Sequence, residues 1–375
     1  QPSYPSKTFP NHITLVTGKY PRNHGLVHNN FYDEKLDEVY KMGKAKQQPL
    51  WLWGKPLWVL AEQNKVRSAT YFWPESDAEI EGVLPSYYYQ YNKSTPYQDR
   101  IDEIIRWLKL PEDQRPRFIT GYFSLIDSAG HDFGPDSKEV GIAVTELDGY
   151  IGQLKQRIST ELPFQVDLVI VSDHGMVSIN KESKVDWTKL DKFLNYKVVN
   201  GSTQLMLYAK EGINNSTIVN DAERLTKQSK GRYLVYTKEN IPDQLHYSGN
   251  YRIADIIAEA IPPVTFSNKK NLDEQIGGTH GFNPYLVEEM GAIFIANGPD
   301  FQKGLEIPSF ENIHVFPMLA TLLDLPIPKD IDGQLSVLAP ILVRDSLLPT
   351  NQKNNLKTSN ISTVLSNDNK AYLAN

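Results

Sequence analysis

Four short apolar runs stand out along the chain: "RFITGYFSLID" (117–127), "VDLVIVSD" (166–173), "TQLMLYAK" (203–210) and "GAIFIANG" (291–298). Each is rich in Ile, Val, Phe and Leu, and none alternates strictly between apolar and polar positions. That pattern predicts strands covered on both faces, as in a parallel sheet. Between these runs the hydrophobic period becomes helical. "YQDRIDEIIRWLKL" (97–110) is amphipathic and stops at Pro111. From Asp136 to Ser159, the residues Val140, Val144, Leu147, Ile151, Leu154 and Ile158 recur at spacings of four and three, which predicts a helix with that stripe in the core. "FENIHVFPMLATLLDL" (310–325) predicts a further helix.

Strands alternating with helices imply an α/β fold with a doubly wound, mostly parallel sheet. Residues 178–276 interrupt the alternation with mixed, more polar sequence and read as an α+β insertion. The expected organisation is therefore a first part of the core at 1–177, the insertion at 178–276 and a second part of the core at 277–345. The Asn/Ser/Lys-rich stretch 346–375 is expected to be a loosely ordered tail. There is no internal repeat.

Composition narrows the function classes. The chain of 375 residues carries a net charge of −6, with Lys and Arg scattered, and no basic stripe suits a nucleic-acid backbone. It has no cysteine, so disulfides and thiolate metal ligands are excluded and any metal must sit on His, Asp or Glu. A cysteine-free chain suits a bacterial periplasmic or surface protein, or a cytosolic one. No apolar run reaches the roughly 18 residues that a membrane span needs. Gln1 in place of an initiator Met suggests a trimmed or processed chain, with any export signal upstream. Asn92, Asn200, Asn214, Asn215 and Asn360 each begin a glycosylation tripeptide, a pattern that an Asn- and Ser-rich chain also meets by chance.

Ligands of α/β sheets bind beyond the carboxyl ends of the strands, so the strand ends are where chemistry is sought. "FSLID" ends in Asp127 and is followed by Ser-Ala-Gly-His131. "VIVSD" ends in Asp173, followed by His174 and Gly175. "IGGTHGFN" places His280 in a glycine-bracketed loop. Alone, each has an ordinary explanation as a helix cap or turn former. Together they offer two carboxylates and three imidazoles, a donor set that zinc accepts without thiolates. His12, His24, His28, His246 and His314 read as structural. Thr8, in "KTFPNHITLVTG", sits where a turn enters a helix that ends near Gly18. It reads either as an N-cap or as a hydroxyl poised at an anion-binding helix start, which a base or a metal must activate.

Taken together, "KTFPNH", the glycine- and proline-bearing stretch up to His24-Gly25, "DSAGHDFGP", "SDHGM" and "GTHGF" resemble the nucleotide pyrophosphatase/phosphodiesterase family of the alkaline phosphatase superfamily. The likeness runs from about residue 2 to residue 340 and includes "ATYFWPESDAEIEG", "YYYQYNKSTPYQDRI" and "FENIHVFPMLATLLDL". The resemblance implies two zinc ions. Asp127, His131 and His280 would hold one; Asp173 and His174, with Thr8, would hold the other. It implies that Thr8 is the nucleophile carrying a covalent nucleotidyl intermediate. It also implies that Asn29 binds a phosphate oxygen, that Phe9 and Tyr91 sandwich the base, and that Lys46 lies in the nucleoside pocket. Small nucleotides are the implied substrates, and the family works outside the cytoplasm.

The family has a further metal-binding Asp on an early core strand before the nucleophile, and only "QPSYPSK" precedes Thr8 here. The second site is thus one protein ligand short, and truncation is the favoured reading because every later motif is intact. Two alternatives stand beside the nucleotide reading. One is a phosphodiesterase of choline phosphodiesters or lysophospholipids. The other is a non-catalytic metal- or ligand-binding relative. A sulfatase is disfavoured, because its Cys/Ser-x-Pro-x-Arg turn is not seen.

Overall fold

Glycine and packing fix the helix that carries Thr8. In the computed structural model, which describes residues 1–190, 193–268 and 277–343, this helix runs from Thr8 to Thr17 and stops at Gly18, whose φ of 65° lets its N–H bond back to the Thr14 carbonyl. Ile13 and Val16 face one apolar cluster, with Leu26, Trp51, Trp58 and Phe316, while Leu15 faces another, with Val315, Met318 and Leu338. The helix is a wedge between two cores, which is why all of its residues from Pro10 onward are buried.

The architecture is α/β. Ser68–Tyr71 is flanked by Tyr87–Tyr89 and Phe118–Gly121, all parallel. Leu168–Val171 pairs with Phe294–Asn297, and this pair is antiparallel, an exception within the mostly parallel arrangement that the apolar runs suggest. The helices Tyr97–Leu108 and Val315–Leu322 form within the segments expected to be helical. Tyr196–Asn200, Gln204–Ala209, Tyr233–Thr237 and Ile256–Ala260 build a four-stranded antiparallel sheet. The helix Asn215–Ser229 packs on it, its start capped by Asn214, which accepts from the Thr217 N–H at 2.9 Å. The expected tail at 346–375 lies outside the described residues.

Two expectations need correction. The strand predicted to run to Asp127 ends at Gly121, and a helix occupies Leu125–Phe133. Asp127 sits in its first turn, where a carboxylate complements the positive end of the helix, and His131 follows one turn later on the same face. The helix over Lys138–Glu161 is present, but its stripe is not uniformly core. Leu154 is buried, and with Tyr150 and Ile158 it joins the cluster around Trp107 and Ile119, whereas Val144 is 46% exposed. Leu168–Val171 is likewise only half-buried at all four positions. Among the described residues, Phe118–Gly121 and Leu168–Val171 each have a ladder partner on one side only, so no continuous sheet underlies the whole stripe.

A buried guanidinium ties the distant segments together. Arg252 Nε donates to Asp33 Oδ2 at 2.7 Å, Nη1 donates to the carbonyls of Gly25 and Trp51, and Nη2 donates to that of Leu50. Both charged side chains are 1% exposed or less. This anchors the hairpin Asn30–Asp33/Glu38–Lys41, which begins directly after Asn29, to the segment between Tyr233–Thr237 and Ile256–Ala260. Asp33→Ala strands that guanidinium in the interior and should cost about 3–5 kcal/mol in urea unfolding, as breaking a buried pair does.

Glu75 is a second buried polar anchor. Its Oε1 accepts from the Tyr40 hydroxyl and, at 3.4 Å, from the Ala45 N–H, while Oε2 is buried without a partner. Burial, opposed by the Tyr40 and Ala45 hydrogen bonds, pushes its carboxyl up to about 7. In the unfolded chain the group ionises near its ordinary value of 4.5. Between those values the fold holds a proton that the unfolded chain releases, so stability falls as pH rises through this window and levels off above it. Glu75→Gln, neutral throughout, should remove a loss of roughly 3 kcal/mol between pH 4.5 and 8, measured by urea unfolding at each pH.

Candidate metal and catalytic site

A short ladder brings the two histidine loops together. Val177–Ile179 pairs antiparallel with Gly277–Thr279, in register Val177 to Thr279, so His174 and His280 meet just beyond one end. Glycines make the approach possible. A Cβ on Gly277 would lie 1.9 Å from the His131 carbonyl oxygen, and one on Gly175 would lie 2.0 Å from that of Glu289. No side chain fits at either place.

Each imidazole is oriented by its backbone neighbours. His131 Nδ1 lies 2.9 Å from the Gly278 carbonyl, His174 Nδ1 2.9 Å from the Gly175 carbonyl and His280 Nδ1 3.0 Å from the Ser6 carbonyl. A carbonyl only accepts, so in each ring Nδ1 carries the hydrogen and Nε2 is left with its lone pair. These free nitrogens point at carboxylates. His131 Nε2 is 3.4 Å and His280 Nε2 4.0 Å from Asp127 Oδ1; His174 Nε2 is 3.0 Å from Asp173 Oδ2. Asp127 Oδ1 is buried and takes no hydrogen bond. Lone pairs facing lone pairs in a buried space are costly unless a proton or cation lies between them. The donor set therefore fits a metal ion, and the second interactions that orient a ligating histidine are already in place.

Thr8 belongs to this cluster. Lys7, not Thr8, is the N-cap residue, and the Thr8 side chain makes no capping bond, so the N-cap explanation of its hydroxyl fails. Oγ1 lies instead 3.2 Å from His174 Nε2. The structure brings Thr8, Asp127, His131, Asp173, His174 and His280 to one place. It gathers them in one compact group: the ligand atoms of Asp127, His174 and His280 lie within 4.8 Å of one another, and the His174 and His280 rings stack 3.5 Å apart.

Electrostatics follow from this crowding. Burial pushes Asp127 up. Burial also works on Asp173, but His174 and His12 outweigh it and hold that carboxyl well below its usual range. His174 is drawn down by burial, yet Asp173 raises it above its ordinary value. Burial, then His174, drive His280 well below the usual imidazole range, which keeps it a neutral donor. Lys7, the residue before Thr8, is buried and lowered to about 7 by that burial, with its ammonium donating to the His280 carbonyl at 2.8 Å.

The other expected site residues lie around this centre. Asn29 Oδ1 accepts from the Phe9 N–H at 2.9 Å, which turns the carboxamide toward the start of the helix that carries Thr8. Tyr91 is 54% exposed and connects to the cluster ring by ring, edge-on to Tyr122, which is edge-on to His12. Lys46 is exposed and pairs with Asp77 at 3.6 Å. Four of the five histidines read as structural have structural partners: His24 meets the Thr14 hydroxyl, His28 meets Gln204, His246 stacks on Tyr20 and His314 accepts from the Gln334 N–H. His12 is the exception, with its Nδ1 3.3 Å from Asp173. The only signal in the sequence was its spacing of four from Thr8, which puts both on one helix face.

Residues 1–283 match the family model for type I phosphodiesterase/nucleotide pyrophosphatase. Ectonucleotide pyrophosphatase/phosphodiesterase family member 1 of Rattus norvegicus is 37% identical over 343 residues, covering 88% of this chain and 37% of the relative. A venom phosphodiesterase of Macrovipera lebetinus is 36% identical over 341 residues, covering 87% of this chain and 39% of that protein. The chain thus spans about two fifths of these relatives. Among solved structures, murine ectonucleotide pyrophosphatase/phosphodiesterase 5, an inactive threonine-to-alanine variant in complex with AMP, superposes with a TM-score of 0.80 at 28% identity, covering 91% of this chain and 89% of that one. The catalytic-looking cluster, the fold and the sequence agree: this chain belongs to the type I phosphodiesterase/nucleotide pyrophosphatase family.

Proposed function

We propose that this protein is a zinc-dependent phosphodiesterase and nucleotide pyrophosphatase that acts outside the cytoplasm and releases nucleoside 5′-monophosphates through a covalent Thr8 intermediate. The observation that carries this reading is the convergence of three bare Nε2 atoms and two carboxylates beside the Thr8 hydroxyl, at the start of a ten-residue helix. The murine neighbour inactivated at a threonine and solved with AMP supports both the nucleophile and the substrate class. The names of the relatives, ecto-enzyme and venom enzyme, support the compartment. Among the described residues, no helix is long and apolar enough to cross a membrane.

The roles follow from position. Zinc ions held by Asp127, His131 and His280, and by Asp173, His174 and Thr8, would supply positive charge that lowers the pKa of the hydroxyl and neutralises phosphate oxygens. Thr8 Oγ1 forms a bond to phosphorus while the bond to the departing alcohol or pyrophosphate breaks, and the hydroxyl proton leaves to solvent. The Asn29 carboxamide, with its oxygen already engaged by the Phe9 N–H, offers its N–H groups to a phosphate oxygen. First-turn N–H groups add to the same field. Phe9 and Tyr91 would hold the base between their rings, and Lys46, which pairs with Asp77, would add a positive charge on the nucleoside side. Water then breaks the threonine–phosphorus bond and restores the hydroxyl.

Thr8→Ala should lower turnover of p-nitrophenyl thymidine 5′-monophosphate by about three orders of magnitude or more while zinc remains bound. Chelation should abolish turnover, and zinc should restore it. Equal turnover of p-nitrophenyl phosphorylcholine would move the substrate to choline phosphodiesters, and absence of metal-dependent turnover of either ester would sink the catalytic reading. Tyr91→Ala should raise KM for the nucleotide ester by the worth of one base–aromatic stack, about 1–3 kcal/mol or roughly 5- to 150-fold, and leave p-nitrophenyl phosphate hydrolysis unchanged.

A further inference from the structure

We propose that His12 is a positioning residue for this reaction: its Nδ1–H joins the backbone of the nucleophile's turn to the Asp173 carboxylate and so sets how that carboxylate faces Thr8. The inference rests on the reading of the cluster as a metal-assisted catalytic site. His12 Nδ1 lies 2.8 Å from the Thr8 carbonyl and 3.3 Å from Asp173 Oδ2. The carbonyl only accepts, so the proton is on Nδ1 and is shared between the two oxygens. Asp173 Oδ2 therefore has His12 on one side and His174 Nε2, at 3.0 Å, on the other.

The His12 ring is caged as well as bonded. It is 5% exposed and meets Trp73 edge-on at 4.8 Å and Tyr122 edge-on at 5.3 Å. The Trp73 indole N–H donates to the His12 carbonyl at 3.2 Å, which fixes the backbone too. A carboxylate torsion is otherwise broad and roughly two-fold. A donor held by two aromatic walls removes that freedom, and it does so from the residue one helical turn after the nucleophile. Motion of the Thr8 turn and rotation of Asp173 are coupled through a single hydrogen.

Histidine supplies two things that a single replacement separates. Phenylalanine keeps the ring between Trp73 and Tyr122 but has no donor. Asparagine places a donor near the position of Nδ1 but leaves the aromatic cage partly empty. The experiment compares His12→Phe and His12→Asn with the wild-type chain. It measures zinc retained against a competing chelator without substrate, kcat and KM for p-nitrophenyl thymidine 5′-monophosphate, and the unfolding midpoint of the metal-free protein. The expected result is that His12→Phe melts like the wild type yet loses about 10–100-fold in zinc affinity or kcat at unchanged KM, as loss of an outer-shell partner does. His12→Asn should melt lower and retain zinc and kcat better than His12→Phe. The opposite order, with Phe retaining zinc and turnover and Asn losing both along with stability, would assign His12 to packing and overturn the proposal. Zinc retention is read without turnover. A wild-type protein that binds zinc but cleaves no phosphodiester therefore overturns the catalytic reading, while the order of the two variants still decides the role of His12.

Discussion

The site depends on three imidazoles that each use Nδ1–H on a backbone carbonyl. His131, His174 and His280 take those carbonyls from Gly278, Gly175 and Ser6, three different segments of the chain. The bonds settle the tautomer and aim the free Nε2 atoms inward, and those of His131 and His280 also join distant segments to one another. If one of these carbonyls moved, a ring would be free to turn and the lone pairs would no longer converge. The glycines follow from the same constraint, because the His131 and Glu289 carbonyls pass where a Cβ at Gly277 or Gly175 would lie.

The surroundings reinforce this constraint with buried polar contacts. Gln204, at the start of a strand of the antiparallel sheet, donates to the Gly281 carbonyl at 2.6 Å, beside His280. The same side chain accepts from the Thr203 hydroxyl and meets His28. Lys7 donates to His280 from the other side. The His280 loop is therefore held by the residue before Thr8 and by the sheet farther along the chain. Low dielectric makes such contacts specific, since an unpaired buried group is expensive. Arg252 plays the same part at longer range: one guanidinium links four segments with Asp33 as its counter-charge.

Much of the candidate site was legible as residue identity. Asp127, His131, Asp173, His174 and His280 are hard or borderline ligands in three separate stretches of sequence, and a chain without cysteine has few other ways to hold a transition metal. His12 was not legible, because its function depends on a contact with Asp173 across the fold, and its local pattern is that of an ordinary helix histidine. Lys7 was equally silent: nothing in "PSKTF" says that its ammonium is buried against a carbonyl more than 270 residues away.

The sequence by itself determined what depends on local chemistry. The Thr8 helix ends at a glycine able to adopt positive φ, the apolar runs became strands, and the absence of cysteine confined any metal donors to His, Asp and Glu. Tertiary structure decided what depends on partners. Phe294–Asn297 runs antiparallel to Leu168–Val171, which strand composition does not encode. Asp127 is lifted off a strand end into a helix turn beside His131. Val144, on a stripe with the right period for a core, is open because burial needs an apolar layer opposite as well as an apolar face. Whether Thr8 caps its helix or faces an imidazole was likewise decided only by the tertiary placement of His174, 166 residues along the chain, since both readings use the same hydroxyl at the same helix start.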